Sequence, residues 1–246
     1  MKTTVSAVKQ RVAIRELPYL RALCDGTFER DDFVETQIQF FFAVVFFSRP
    51  MLALAGRLPR PELRLALLDN VADEHGRGQL RFSHESTFLE LLGRLGVVPE
   101  QLEARALWPE VRAFNTALAG LCLLDDLPTA LAALGMIEDL FAAASSALGQ
   151  GIVARGWLGP ERIVHYVTHE RLDEDHAAAF YAPLERAYAD PRARYQIDQG
   201  LELGAHLLVN LYAQLWMHRA RRWSRPVAGP HSVSDGWYLE PGALGG

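Results

Sequence analysis

Residues 38–47 read IQFFFAVVFF, and no other stretch limits the possible folds of this chain as strongly. Wound into a helix at about 100° per residue, the segment presents apolar side chains on every side, so other elements must cover it all round. Its uninterrupted apolar part, residues 40–47, is far shorter than the roughly 20 residues needed to cross a bilayer, and Ser48, Arg49 and Pro50 close it. The covering elements are expected to be helices. Alternating β-branched runs bounded by Asn-Gly or Asp-Gly turns are missing, while Ala, Leu, Glu and Arg recur at helical spacing. The expectation is therefore an all-α protein, with one helical domain over residues 1–223 and a Pro- and Gly-rich tail at 224–246.

Punctuation places the helices. Residues 5–16 and 18–25 read as short helices parted by Pro18. A longer helix starts at Asp31 with acidic residues in its first turn, and Pro50 kinks it or opens a new turn ending near Gly56. Pro61 suits the first turn of a helix reaching Glu74, which breaks at Gly76 and Gly78. Ser83 is the expected N-cap of a helix ending near Gly96. Pro99 opens a short piece, Pro109 one that reaches Leu124, and Asp126 with Pro128 a long helix through Gly151. Gly159, Pro160 and Glu161 begin the next, and Asp190-Pro191 launches a last helix to about Arg222.

Of the 246 residues, 50% are hydrophobic and 22% charged, enough to bury a sizeable core. A net charge of −5, with the basic residues scattered along helices, argues against nucleic acid or an anionic membrane as partner. The opening MKTTVSAVKQRVAIREL lacks the apolar centre of a secretory signal, so a cytoplasmic protein is expected. Cys24 and Cys122 lie far apart and in no CxxC spacing, which leaves no disulfide framework or zinc knuckle. Both read as small buried hydrophobes.

Against this helical background, HYVTHERLDEDH at 165–176 stands out. His169, Asp173 and His176 fall at i, i+4 and i+7, on one helix face, where two imidazoles and a carboxylate suit Fe, Mn or Zn better than Ca or Mg. A solvated polar face with scattered histidines is the alternative. His165, one turn earlier, either tunes such a site from outside or holds a hydrogen bond in the core. Three more residues carry the same chemistry. Glu74 continues the apolar stripe of Leu63, Leu67 and Val71, His84 opens the following helix, and Glu138 is a conspicuous charge in GMIEDLFAAASSAL. A carboxylate on a core face is costly to ionise unless a cation meets it. Taken singly, Glu74 can be a surface carboxylate, His84 a first-turn histidine and Glu138 a helix-face charge. Asp139 reads as the solvated neighbour of Glu138, while Asp73 and His75 flank Glu74 and are easily confused with it.

In chain order, Glu74-x9-His84, then Glu138, then His169-x3-Asp173-x2-His176 resembles the haem-oxygenase-like diiron oxidase and oxygenase superfamily. The text NVADEHGRGQLRFSHESTFLELLGRLG is similar to that family's Asn-x3-Glu, Gly-rich loop, Ser/Ala-His and apolar helix ending in Leu-Gly. The likeness spans roughly residues 30–220 and implies a single haem-oxygenase-like bundle of seven or more helices. It further implies Glu74, His84, Glu138, His169, Asp173 and His176 as catalytic ligands of two Fe(II) ions, with O₂ as co-substrate. In that reading Glu138 bridges or binds through both oxygens, the three histidines are terminal, and Glu74 and Asp173 balance charge. The long Glu-to-His spacing belongs to only part of the superfamily.

Other relatives of the fold match less well. Haem oxygenase holds its haem through a histidine of an early helix, whereas the first histidine here is His75. Ferritin-like proteins use paired Glu-x-x-His, which is missing. Thiaminase-type members need a nucleophilic cysteine, and neither Cys24 nor Cys122 stands in such a setting. The resemblance implies oxidation of a small metabolite, with an amino-acid-like compound of specialised metabolism expected and N-oxygenation, desaturation or C–C scission as the reaction. A fatty-acid oxidative decarboxylase and a non-catalytic helical binding protein are the alternatives. An amino-acid substrate calls for an arginine to grip its carboxylate, and Arg49 and Arg171 are the candidates. Phe40, Phe41, Phe46, Tyr166 and Trp216 are candidate pocket residues, or plain core. An external electron donor and a homodimer complete the expectations.

Overall fold

The computed structural model describes residues 1–224, apart from the side chains of Val164 and residues 168–175. Of the expected tail at 224–246, all but Ser224 lies outside the described residues. Within them there is no strand, and one isolated bridge pairs Arg105 with Ser224. The helices follow in order: α1 Lys2–Val12, α2 Pro18–Asp25, α3 Arg30–Arg57, α4 Pro61–Glu74, α5 His84–Arg94, α6 Pro99–Ala104, α7 Pro109–Leu124, α8 Leu127–Ala154, α9 Val164–Tyr181, α10 Leu184–Ala187 and α11 Pro191–Met217.

The two longest, α3 and α8, have 28 residues each and run through the core. By length and composition both could cross a bilayer, yet 67% and 89% of their apolar windows are buried against the rest of the protein. That burial fits the core helices of a soluble fold. The all-round apolar segment of α3 is covered as expected: Phe41 and Phe42 are fully enclosed. Pro50 does not end the helix, which continues to Arg57. Pro50 and Met51 are buried with Leu54 and Ala55, so packing retains the turn that a missing N–H weakens.

Helix α8 starts where Asp126 accepts a hydrogen bond from the backbone N–H of Thr129 at 2.9 Å. Its main neighbours are α9 on one side and α11 on another. The α8–α11 seam depends on small residues. A Cβ at Gly204 would overlap the carbonyl of Ala133, and one at Gly200 the carbonyl of Thr129. Only glycine allows the two backbones so close.

Three boundaries differ from the sequence expectation. The first helix stops at Val12, where Ala13 turns left-handed with φ 44°, and a 3₁₀ turn follows at Ile14–Glu16. The stretch at Gly159 forms a 3₁₀ turn, Pro160–Arg162, and α9 itself starts at Val164. The last helix ends at Met217 rather than Arg222. There the arginines leave helical register for better partners: Arg219 stacks 3.8 Å over Trp216, Arg221 forks onto Glu110, and Arg222 reaches Asp32. The cysteines also differ from one another. Cys122 is buried, and burial pushes its thiol pKa up to about 12, whereas Cys24 is exposed, contrary to expectation.

Candidate metal centre

Glu74 ends α4, and the chain must reverse tightly to bring back His84. Three successive left-handed residues do this: Gly76 (φ 65°), Arg77 (φ 49°) and Gly78 (φ 83°). A side chain on Gly76 would meet the backbone N of Ser83 at 2.7 Å. Arg77 is an unusual residue for this conformation. Its guanidinium is held by Asp73 at 2.6 and 3.0 Å and by Asp69 at 2.9 Å. Ser83 then caps α5 as expected, its hydroxyl accepting from the backbone N–H of Ser86 at 3.1 Å. The result sets His84 Nδ1 2.8 Å from Glu74 Oε1, both side chains buried.

Two more helices complete the group. Glu138 comes from the middle of α8 and His176 from α9, at 3% and 4% exposure. Ligand-type atoms of Glu74, Glu138 and His176 all lie within 4.8 Å of one another. Asp73 Oδ2 lies 3.4 Å from His176 Nε2, the arrangement in which an outer carboxylate orients an imidazole. The structure thus brings four of the six candidates together, each from a different helix. The side chains of His169 and Asp173, like that of Arg171, lie outside the described residues.

The neighbours sort themselves by burial. Glu74 is no surface carboxylate. His75 is exposed and its Nδ1 pairs with the carbonyl of Val71, so it stands apart from the group. Asp139 was expected in solvent, but its side chain is only 13% exposed, because Lys9 of α1 folds onto it. His165 is buried with Nδ1 2.9 Å from Thr87 Oγ1, while that hydroxyl also donates to the carbonyl of His84 at 3.2 Å. His165 therefore braces the turn that carries His84.

The group opens on a narrow cavity of about 40 Å³ lined by Glu74, His84 and Glu138 at one end and by apolar residues elsewhere. Phe40, Val44 and Phe47 come from α3, Phe114 from α7, Ile137 and Phe141 from α8, and Leu208 from α11. No lysine or arginine is among the described lining residues. Of the expected pocket residues only Phe40 takes part. Phe41 and Tyr166 are core, and the Tyr166 hydroxyl donates to Gln37, which in turn donates to Tyr19 at 2.8 Å. Phe46 sits near Arg49, and Trp216 packs edge-on against Phe28 at 5.0 Å. The α3 lining was open to sequence reading as an i, i+3, i+4, i+7 stripe at Phe40, Ala43, Val44 and Phe47. Phe114 and Leu208 carried no such signal.

Two carboxylates and two imidazoles enclosed together suit a transition metal. Left to themselves, the buried carboxylates are penalised by desolvation and by each other, and a divalent cation offsets both effects. Mixed nitrogen and oxygen donors match iron well.

Fold and site define a haem-oxygenase-like helical protein with a buried carboxylate–imidazole centre. A domain of that fold from Shewanella denitrificans superposes with a TM-score of 0.71 at 16% identity, over 87% of this chain and 93% of the other. A TenA homologue from P. horikoshii gives 0.69 at 13% identity, over 88% and 98%. The chain belongs to the Haem_oxygenas_2 family of iron-containing redox enzymes, whose profile matches residues 34–223. It is 24% identical over 212 residues to a 4-aminobenzoate synthase of Chlamydia muridarum, covering 86% of each chain.

Proposed function

We propose that the protein is an O₂-dependent non-haem diiron enzyme that oxidises a small metabolite with an apolar or aromatic body. The observation that carries this reading is the chamber itself: an apolar pocket whose only described polar wall is Glu74, His84 and Glu138. Two Fe(II) ions held there would supply the oxidising power from O₂. Glu74, His84, Glu138 and His176 would hold them, with His169 and Asp173 as the remaining ligands by resemblance. The chain's own contribution is to orient these donors, through Asp73 behind His176 and the left-handed loop behind His84, and to keep water from the substrate with phenylalanine rings. Enclosure in apolar walls strengthens every electrostatic contact at the reacting end.

The lining shifts the expected substrate. Arg49 is not among the residues of the chamber, so an amino acid gripped through its carboxylate fits less well than a ring or chain lying among Phe40, Phe47, Phe114 and Phe141. A chlamydial relative is named for an aromatic amino acid, 4-aminobenzoate, which is in keeping with a substrate derived from amino-acid metabolism. The same walls suit the alkyl chain of a fatty acid, and this is the second reading. A cytoplasmic enzyme of specialised metabolism, drawing electrons from an external donor and acting as a homodimer, completes the proposal.

An anaerobic Fe(II) titration followed by rapid mixing with O₂ tests it. The expected result is uptake of two irons and a transient visible absorption band, both lost in His84→Ala and His169→Ala. Aromatic amino-acid derivatives and fatty acids would then be ranked by how far each changes the lifetime of the band. Absence of iron uptake would sink the reading and leave a non-catalytic binding protein.

A further inference from the structure

Asn70 lies on α4 at 2% exposure, and neither its Oδ1 nor its Nδ2 meets a hydrogen-bond partner. Among the described residues it is the one buried amide side chain with both polar atoms unpartnered. A carboxamide offers two N–H donors and two acceptor lone pairs, and native folds seldom bury one with all of them unused. The other amides of the core show the contrast. Gln37 donates to Tyr19 and accepts from Tyr166. Gln39 donates to the carbonyl of Ala106 and accepts from the backbone N–H of Trp108, and Asn115 donates to the carbonyl of Phe42.

The position of Asn70 suggests what it serves. It stands four residues before Glu74 on the same helix, and side chains at that spacing are neighbours, with Cβ atoms about 5–6 Å apart. Helical side chains lean toward the N-terminus, so a Glu74 side chain reaches back over the turn that carries Asn70. Leu67, Asn70, Val71 and Glu74 make up the buried face of α4, and only Asn70 and Glu74 on it are polar. That helix packs against α3 and against α9, which brings His176. In the arrangement described, Glu74 Oε1 is set 2.8 Å from His84 Nδ1, and the amide stays unused. A carboxylate that turns one oxygen onto a cation leaves the other to a donor, and carboxylates that bind metals are held by such outer hydrogen bonds.

We infer that Asn70 is a positioning residue of the metal centre, its Nδ2 donating to the Glu74 carboxylate once that carboxylate turns onto the cation. This role rests on the reading of Glu74 as an iron ligand, and it adds a task for the amide that arises only on metal loading. In the metal-free protein Asn70 makes no hydrogen bond, so an apolar side chain of similar shape takes nothing away.

Asn70→Leu tests it, with Fe(II) affinity read anaerobically by competition against a chromophoric chelator. The expected result is a metal-free Tm equal to or above that of wild type, with Fe(II) affinity lower by about tenfold. At saturating iron the ligand-field bands of bound Fe(II), read by near-infrared circular dichroism, should also shift, because they report how Glu74 sits at the metal. Leu67→Ala, on the same buried face, is the control: it should lower the Tm but leave Fe(II) affinity and bands unchanged. Should Asn70→Leu not fold, Asn70→Ala decides by affinity and bands. The inference is overturned if the Asn70 variant binds Fe(II) as wild type does, with the same bands. It is equally overturned if Leu67→Ala shifts the bands as far, since packing alone would then set Glu74. Wild-type protein that takes up no iron would overturn it together with the reading of the site.

Discussion

The seam between α8 and α11 and the cluster of Glu74, His84, Glu138 and His176 are both deeply buried, and both draw on α8. They are held together in opposite ways. The seam is apolar backbone against backbone, complete in itself, with Gly200 and Gly204 removing every obstacle to contact. The cluster sets two carboxylates beside two imidazoles, a donor set that suits a metal ion. One region is stabilised by what it excludes, the other by what it would admit. Stability and function are therefore separable along a single helix, and substitutions can test that separation.

The largest effect is expected at the seam. Gly204→Val forces a branched side chain into the Ala133 carbonyl and should cost about 3 kcal/mol or more, read by chemical denaturation. The loss should be the same with and without Fe(II). A metal-dependent loss would break the separation. Next comes the cation itself. Fe(II) under anaerobic conditions, at about a hundredfold excess over its dissociation constant, should stabilise the protein by about 2.7 kcal/mol, which is roughly 5–10 °C in Tm for a chain of this size. Glu138→Gln should remove that shift, since one of the two carboxylates of the group is gone. A shift retained in Glu138→Gln would show that Glu138 does not hold the cation.

Asp73→Asn sharpens the comparison at the edge of the cluster. Without the outer carboxylate His176 is less firmly oriented, and Fe(II) affinity should fall about tenfold with little change in metal-free stability. The smallest effect concerns thiols. Ellman's reagent should label Cys24 in the folded protein and Cys122 only after unfolding, because Cys122 is buried and burial pushes its thiol pKa up to about 12. Equal labelling rates would show that α7 opens far more readily than its burial implies.

The sequence made much of this legible, and its failures are instructive. Glu138 was readable because a charge is conspicuous in the otherwise apolar GMIEDLFAAASSAL, although a helix-face charge was the alternative, and the all-apolar run of α3 declared its own burial. Glu74 could be separated from Asp73 only weakly by its stripe, yet three-dimensional burial divides the two at once. What could not be read depends on crossings between distant helices. Phe114 and Leu208 meet at the chamber only because α7 and α11 pack near α3, and nothing local reports that. The helix end at Met217 was equally hidden, since Arg219, Arg221 and Arg222 favour helix by propensity and leave it for Trp216, Glu110 and Asp32.

The left-handed loop between Glu74 and His84 has a consequence for the order of events during synthesis. These two residues lie ten positions apart, and closing a loop of about that length takes tens of nanoseconds. Glu138 and His176 reach the ribosome exit long after, at a translation rate of about 5–20 residues per second. For several seconds the nascent chain therefore displays an acid and an imidazole as a ready-made pair, before the walls that will enclose them have been made.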